Sequence, residues 1–301
     1  MRKPARFFFY LLTLSLAACA APAGAMGSAV VDAPPSSTAP LPTATFPPTL
    51  TPRPLPTRTP QVTVQAPTAP VAPDCAETHG SVTNHNYHAF TLGYSLFYDV
   101  YLPPCYDATG DTYPVLYLMH GQAFIEDQWV RLGADGAADA LIAGGDAPPF
   151  IMIMPRGGAN PYFGQGLLAD LMPYVETEYR IQGDRAHRAI GGLSRGGGWA
   201  IYLGLAHPDL FGAFGGHSPA IQYIHASEID DLLDELPADE VPRIWLDIGD
   251  NDSLIYNTEW FTDMLDERGI AYAFNLYPGR HEETYWSEHI QDYLLFYAGS
   301  W

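Results

Sequence analysis

The chain has 301 residues, with 14 Lys and Arg against 34 Asp and Glu, a formal net charge of −20 at pH 7. A surface of that sign repels nucleic acid and other anionic polymers, so partners of that kind are excluded, while the charge says nothing about the fold. Because the first part carries no folding pattern, one folded domain behind a leader is the economical reading of this length.

The leader comes first. Arg2, Lys3 and Arg6 make a basic start and residues 7–17 an apolar core, and Leu16-Ala17-Ala18-Cys19 has the form of a bacterial lipobox. Residues 1–18 are therefore expected to be a lipoprotein-type signal peptide, with Cys19 the lipid-modified first residue of an exported, surface-anchored protein. Ala18-Cys19-Ala20 also fits ordinary signal cleavage, so simple secretion stays open. A spanning helix is disfavoured, because the apolar stretch is shorter than the roughly 20 residues that cross a bilayer.

Residues 19–73 are dominated by Pro, Thr, Ala and Ser, as in Pro47-Pro48-Thr49-Leu50-Thr51-Pro52. Such a tract cannot bury a core and is expected to be a disordered, extended and semi-rigid stalk. The folded domain then covers residues 74–301. With Cys19 assigned to lipid, Cys75 and Cys105 remain at the leading edge of that domain, and the exported compartment permits a disulfide between them. Two separate thiols are the alternative.

Within the domain, apolar runs alternate with helical patterns, the signature of a mostly parallel sheet covered on both faces, which makes the fold class α/β. Residues 81–90 and 95–102 read as a leading antiparallel pair around Gly93. Residues 113–119, 150–154, 189–191, 211–215, 243–248 and 271–277 read as buried strands. Helical patterns lie over 134–143, 167–179, 196–206, 227–233, 257–268 and 283–296, and Gly144, Pro208 and Gly269 stand where helices should stop.

The segment Gly192-Leu193-Ser194-Arg195-Gly196 lies between the strand 189–191 and the helix 196–206. A strand, a sharp turn through a serine and an immediate helix form a nucleophile elbow, which lifts the hydroxyl above the sheet edge. The match alone is weak, and its context carries it. Serine is a poor nucleophile at neutral pH and needs a histidine base, itself oriented by a carboxylate. In doubly wound hydrolases these follow in the order Ser, acid, His. Asp252, just past the strand 243–248, is the acid expected, with Asp250 as its rival and Asp247 structural within the strand. His281, in the loop after 271–277, is the base expected, with His289 in the last helical run as competitor. Charge developing on a tetrahedral oxygen requires preoriented amides, assigned to Arg195 and to Gln122 in His120-Gly121-Gln122, with His120 a structural neighbour. His79, His85 and His88 match no standard zinc spacing and read as surface histidines, so no metal is expected.

Several stretches carry a family likeness: Tyr113-Pro114-Val115-Leu116-Tyr117-Leu118-Met119-His120-Gly121 with Trp129 following, Pro173-Tyr174-Val175-Glu176, Ala189 through Gly197, Gly249-Asp250-Asn251-Asp252, and Gly279-Arg280-His281 with Trp286 downstream. From Tyr87 to Trp301 the chain resembles the esterase family of the α/β-hydrolase superfamily that includes feruloyl esterases, esterase D, enterochelin esterases and mycolyltransferases. The resemblance implies an α/β-hydrolase fold, the triad Ser194, Asp252 and His281, oxyanion amides at Gln122 and Arg195, and no cofactor. Arg195 and Gln122-Ala123-Phe124 depart from the small residues usual there and bear on the acyl group accepted. The expectation is a serine carboxylesterase, with feruloyl or acetyl esters of polysaccharide as candidate substrates. Acyl transfer through the same triad and a non-catalytic surface binding module are the alternatives. The loops 122–131, 156–166 and 217–227 shape the pocket, and Trp129, Tyr162, Phe163 and Tyr223 either line an aryl-accepting cleft or pack in the core.

Overall fold

A computed structural model describes residues 75–157 and 160–301. The signal segment, Cys19 and the stalk expected over 19–73 lie outside the described residues. The domain opens with a hairpin, β1 (Ser81–Ala89) and β2 (Tyr94–Leu102), turned at Gly93, whose φ of 77° lies in the region that glycine enters without steric cost. The order continues β3 (Val115–Met119), α1 (Gln128–Arg131), α2 (Ala134–Gly144), β4 (Ile151–Pro155), α3 (Phe163–Gly166), α4 (Met172–Glu178), β5 (Arg188–Leu193) and α5 (Arg195–Ala206). It ends with β6 (Ala213–His217), α6 (Ala226–Glu235), β7 (Arg243–Gly249), α7 (Ile255–Glu267), β8 (Ala273–Tyr277) and α8 (Glu283–Ala298).

All eight strands join one sheet in the order β1-β2-β4-β3-β5-β6-β7-β8. Only β1 with β2 and β2 with β4 run antiparallel. From β4 through β3 and β5 to β8 the pairing is parallel. Residues of β3, β4, β5 and β6 are all buried, as continuous apolar strands with helices on both faces must be. One face packs α5 and its neighbours through Trp199, Ile201 and Leu203, and the other packs α2 and α8 through Leu141, Trp286 and Tyr293.

Two expectations change. The strand expected over 271–277 is not fully buried: β8 alternates between half-buried and exposed residues, with Phe274 and Leu276 exposed, because it is the edge strand and pairs only with β7. The single helix expected over 167–179 is a π-type turn at Leu167–Leu171 leading into α4. Pro173 supplies the reason, since it has no N–H to give the carbonyl of Ala169 and the hydrogen-bond ladder must shift there. The four-residue α1 was not foreseen.

The expected pair Cys75 and Cys105 is joined, with Cα atoms 5.8 Å apart, and Glu77 Oε2 accepts the Cys105 amide at 2.8 Å. Among the described residues no helix is long and apolar enough to cross a membrane.

Candidate active site

The turn between β5 and α5 is strained as the elbow requires. Ser194 has φ 54° and ψ −116°, a conformation costly for a residue with a side chain. Its surroundings over-determine it. Ser194 N donates to the His217 carbonyl at 2.9 Å, and Ser194 O accepts from Ala220 N at 2.9 Å and Gly198 N at 3.1 Å. A side chain at Gly192 would strike the Gly196 backbone, and one at Gly196 the Met119 carbonyl, so only glycines let the strand, the turn and the helix close on each other.

His281 follows β8 and reaches back over the sheet edge. Its Nε2 lies 2.8 Å from Ser194 Oγ and its Nδ1 2.8 Å from Asp252 Oδ2. The carboxylate fixes the tautomer: Nδ1–H donates to Asp252, leaving Nε2 to accept the serine proton. Asp252, just beyond β7, is fully buried at its side chain, and its other oxygen accepts the Leu254 amide at 2.8 Å. The rival Asp250 is engaged elsewhere, accepting from Asn251 Nδ2 at 2.7 Å and Gly279 N at 3.1 Å. His289 lies within α8, stacked on Tyr277 with ring centroids 4.1 Å apart. Asp247 lies inside β7 as a buried residue, as expected for a structural role.

The loop after β3 approaches the same point: a Cβ placed on Gly121 would sit 3.7 Å from Ser194 Cβ. Among the described residues neither the Gln122 nor the Arg195 amide donates to a protein acceptor. This loop is pinned by Trp129 and His120, both named from the sequence, and by Gln128, which sequence reasoning passed over. Gln128 Oε1 accepts the Gly121 amide at 2.8 Å, and Trp129 Nε1 donates to the Met119 carbonyl at 3.1 Å. His120 bridges two loops: Gly157 N donates to its Nε2 at 2.9 Å, so Nδ1 carries the proton and donates to the Gly121 carbonyl at 2.7 Å. Burial holds the His120 pKa below its usual 6.5, which keeps the ring neutral. A Gln-Trp pair opening a short helix just after His-Gly was the signal available for Gln128.

A cleft of about 210 Å³ opens over Ser194, lined by Gln122, Phe124, His281, Glu283 and Trp286 among others. Of the aromatics weighed for it, Trp129 and Phe163 are buried core residues, whereas Tyr162 and Tyr223 are exposed. Arg195 borders a narrow recess beside Gln122, Phe163 and Trp199, and among the described residues its buried Nε has no hydrogen-bond partner. His79 pairs with Asp139 at 3.1 Å, His85 with Thr83 at 2.9 Å and His88 with Ser95 at 3.4 Å, all at or near the surface. A hydroxyl, an imidazole and a buried carboxylate hydrogen-bonded in series can draw a proton from the hydroxyl and make its oxygen nucleophilic.

Residues 91–297 match the family model described as Putative esterase. The chain belongs to that family. Among curated members of similar sequence, an endo-1,4-beta-xylanase/feruloyl esterase of Xylanibacter ruminicola is 31% identical over 154 residues, 46% of this chain and 21% of that protein. An esterase of Mycobacterium tuberculosis is 29% identical over 147 residues, 44% of this chain and 31% of that protein. The match thus spans between a fifth and a third of the length of these relatives. A solved ferulic acid esterase superposes with a TM-score of 0.68 at 26% identity, covering 74% of this chain and 100% of its own. The fold, an eight-stranded and mostly parallel sheet among the described residues, matches that of the α/β-hydrolase esterases.

Proposed function

We propose that the chain is a serine carboxylesterase working through an acyl-enzyme, with Ser194 as nucleophile, His281 as general base and acid, and Asp252 as the orienting carboxylate. The observation that carries this reading is the unbroken series from Ser194 Oγ through His281 to Asp252, 2.8 Å at each contact. As Ser194 Oγ bonds to the ester carbonyl carbon, its proton passes to His281 Nε2. The π electrons of the carbonyl move to its own oxygen, and the Gln122 and Arg195 amides meet the negative charge that develops there. When the C–O bond to the alcohol breaks, His281 returns the proton to the leaving oxygen. Water repeats the sequence on the acyl-enzyme, giving the free acid and the serine again. The chemistry calls for no cofactor.

Ferulate and acetate esters of polysaccharide are the substrates this reading favours; the names of the xylanase/feruloyl esterase relative and of the ferulic acid esterase neighbour support the former. The lipobox at Cys19 fits an exported domain held on a stalk at a membrane surface, facing such polymers. The test offers the purified protein short-chain aryl esters, methyl ferulate and acetylated xylan, with a fluorophosphonate probe alongside. Turnover with labelling of Ser194 is expected, and Ser194→Ala should lose the label and lower kcat by roughly 10⁴-fold or more. A wild-type protein that neither turns over esters nor takes the label would end the proposal.

A further inference from the structure

Beneath the elbow lies a second histidine and aspartate that the reaction does not use. Asp247 of β7 and His217 of β6 are both completely buried, 2.6 Å apart from Oδ1 to Nδ1. Every acceptor position of this carboxylate is taken: Oδ1 also accepts Trp245 Nε1 at 3.1 Å, and Oδ2 accepts the hydroxyls of Tyr285 and Tyr293, each at 2.8 Å. Tyr297 closes the cluster by donating its hydroxyl to His217 Nε2 at 2.9 Å. A buried carboxylate, however well hydrogen-bonded, is weak reason for stability, since removing its charge from water is costly and well-packed apolar residues do as well. Its position therefore invites another explanation.

Tyr285 and Tyr293 both lie on α8, but at different distances from the chemistry. Tyr285 is in the first turn of the helix, and α8 begins at Glu283, two residues after His281. The Tyr285 ring packs directly on the Gly279 backbone, where a Cβ would have no room, so it forms the floor of the turn Gly279-Arg280-His281. Trp286, the next residue, meets the His281 ring edge to face at 5.1 Å and donates through Nε1 to Ser218 Oγ at 3.2 Å. Ser218 N in turn donates to the Asp247 carbonyl at 2.8 Å. Tyr293 makes an equal hydrogen bond to the same oxygen two turns further along and stacks on His217, not on the His281 turn.

We infer that Asp247 and Tyr285 are positioning residues for His281: the buried carboxylate anchors the first turn of α8 through the Tyr285 hydroxyl, and the Tyr285 ring sets the height of the His281 turn over Ser194. Neither touches substrate. Burial also drives the Tyr285 pKa far above its ordinary value, so the phenol remains a donor throughout the working pH range. The inference rests on the serine-esterase reading and adds to it a reason why an aspartate stands inside a core strand.

Tyr285→Phe and Tyr293→Phe form a matched pair, each deleting one hydroxyl from the same carboxylate oxygen and leaving the ring in place. If Tyr285 positions the base, Tyr285→Phe lowers kcat roughly tenfold, since small misplacements of a catalytic group are costly, and leaves KM unchanged. Tyr293→Phe, with a similar loss of thermal stability, keeps kcat within about twofold. The hydrogen-bonded imidazole proton between His281 and Asp252, identified in the proton NMR spectrum by its loss in His281→Gln, shifts in the first variant and not in the second. Equal losses of kcat in the two variants, or an unmoved proton resonance in Tyr285→Phe, overturns the inference while an active wild type keeps the esterase reading. A wild type without turnover or probe labelling overturns both.

Discussion

Two aspartates two residues apart show how finely the choice of acid depends on place. Asp250 and Asp252 share the loop after β7, yet only Asp252 meets His281, while Asp250 caps the turn at Gly279. Asp252→Asn is expected to lower kcat by roughly 10⁴-fold, because the amide offers His281 the wrong partner for the required tautomer. Asp250→Asn should stay within about tenfold, and steady-state kinetics on an aryl ester separates the two. At His120 the consequence concerns stability. Its pKa is lowered by burial, so below pH 6.5 the unfolded chain binds a proton that the folded protein refuses. The contribution of His120 is complete above that pH and is lost as pH falls below it. Denaturant titrations between about pH 5 and 7 should therefore show a shallower acid loss in His120→Asn than in the wild type.

The strands β5 and β6 are built around what they leave out. Gly191 and Gly215 face each other across the pair, and a side chain on either would collide with the Tyr297 hydroxyl, which reaches from α8 to His217. The glycines are thus the counterpart of the phenol, and the buried cluster under the elbow depends on both. Gly215→Ala should destabilise by about 1–3 kcal/mol through overpacking, read as a lower Tm. Gly110→Ala, at an exposed position with nothing within 4 Å of the added methyl, should stay within about 0.5 kcal/mol.

For the molecule as a whole, the disulfide between Cys75 and Cys105 closes a loop with a sequence separation of 30 around the leading hairpin. In the chain-entropy account a loop of that size is worth about 3.5 kcal/mol, because the cross-link limits the unfolded ensemble. The Cys75→Ser, Cys105→Ser double variant should melt about 10 °C lower while keeping its turnover at 25 °C, since β1 and β2 are the far strands of the sheet from β8 and the His281 loop. Equal Tm values for oxidised wild type and variant would show that the hairpin holds without the bridge.

The order of strands and helices was legible in the sequence because hydrophobic periodicity is local, and the elbow was legible because a strained serine needs glycines at fixed offsets. The late loops supplied the candidates Asp252 and His281 for the same reason: residues past the carboxyl ends of parallel strands gather at one edge. What local patterns could not decide was which of Asp250 and Asp252 would meet the imidazole, since both occupy one turn and only the packing of β8 beside β7 orients them. Nor could they show that β8 is an exposed edge, that Gln128 would meet Glu283, or that Asp247 would gather His217, Tyr285 and Tyr293. Those are contacts between residues separated by up to 155 positions along the chain, such as Gln128 with Glu283, and only a closed fold brings such groups within hydrogen-bonding reach.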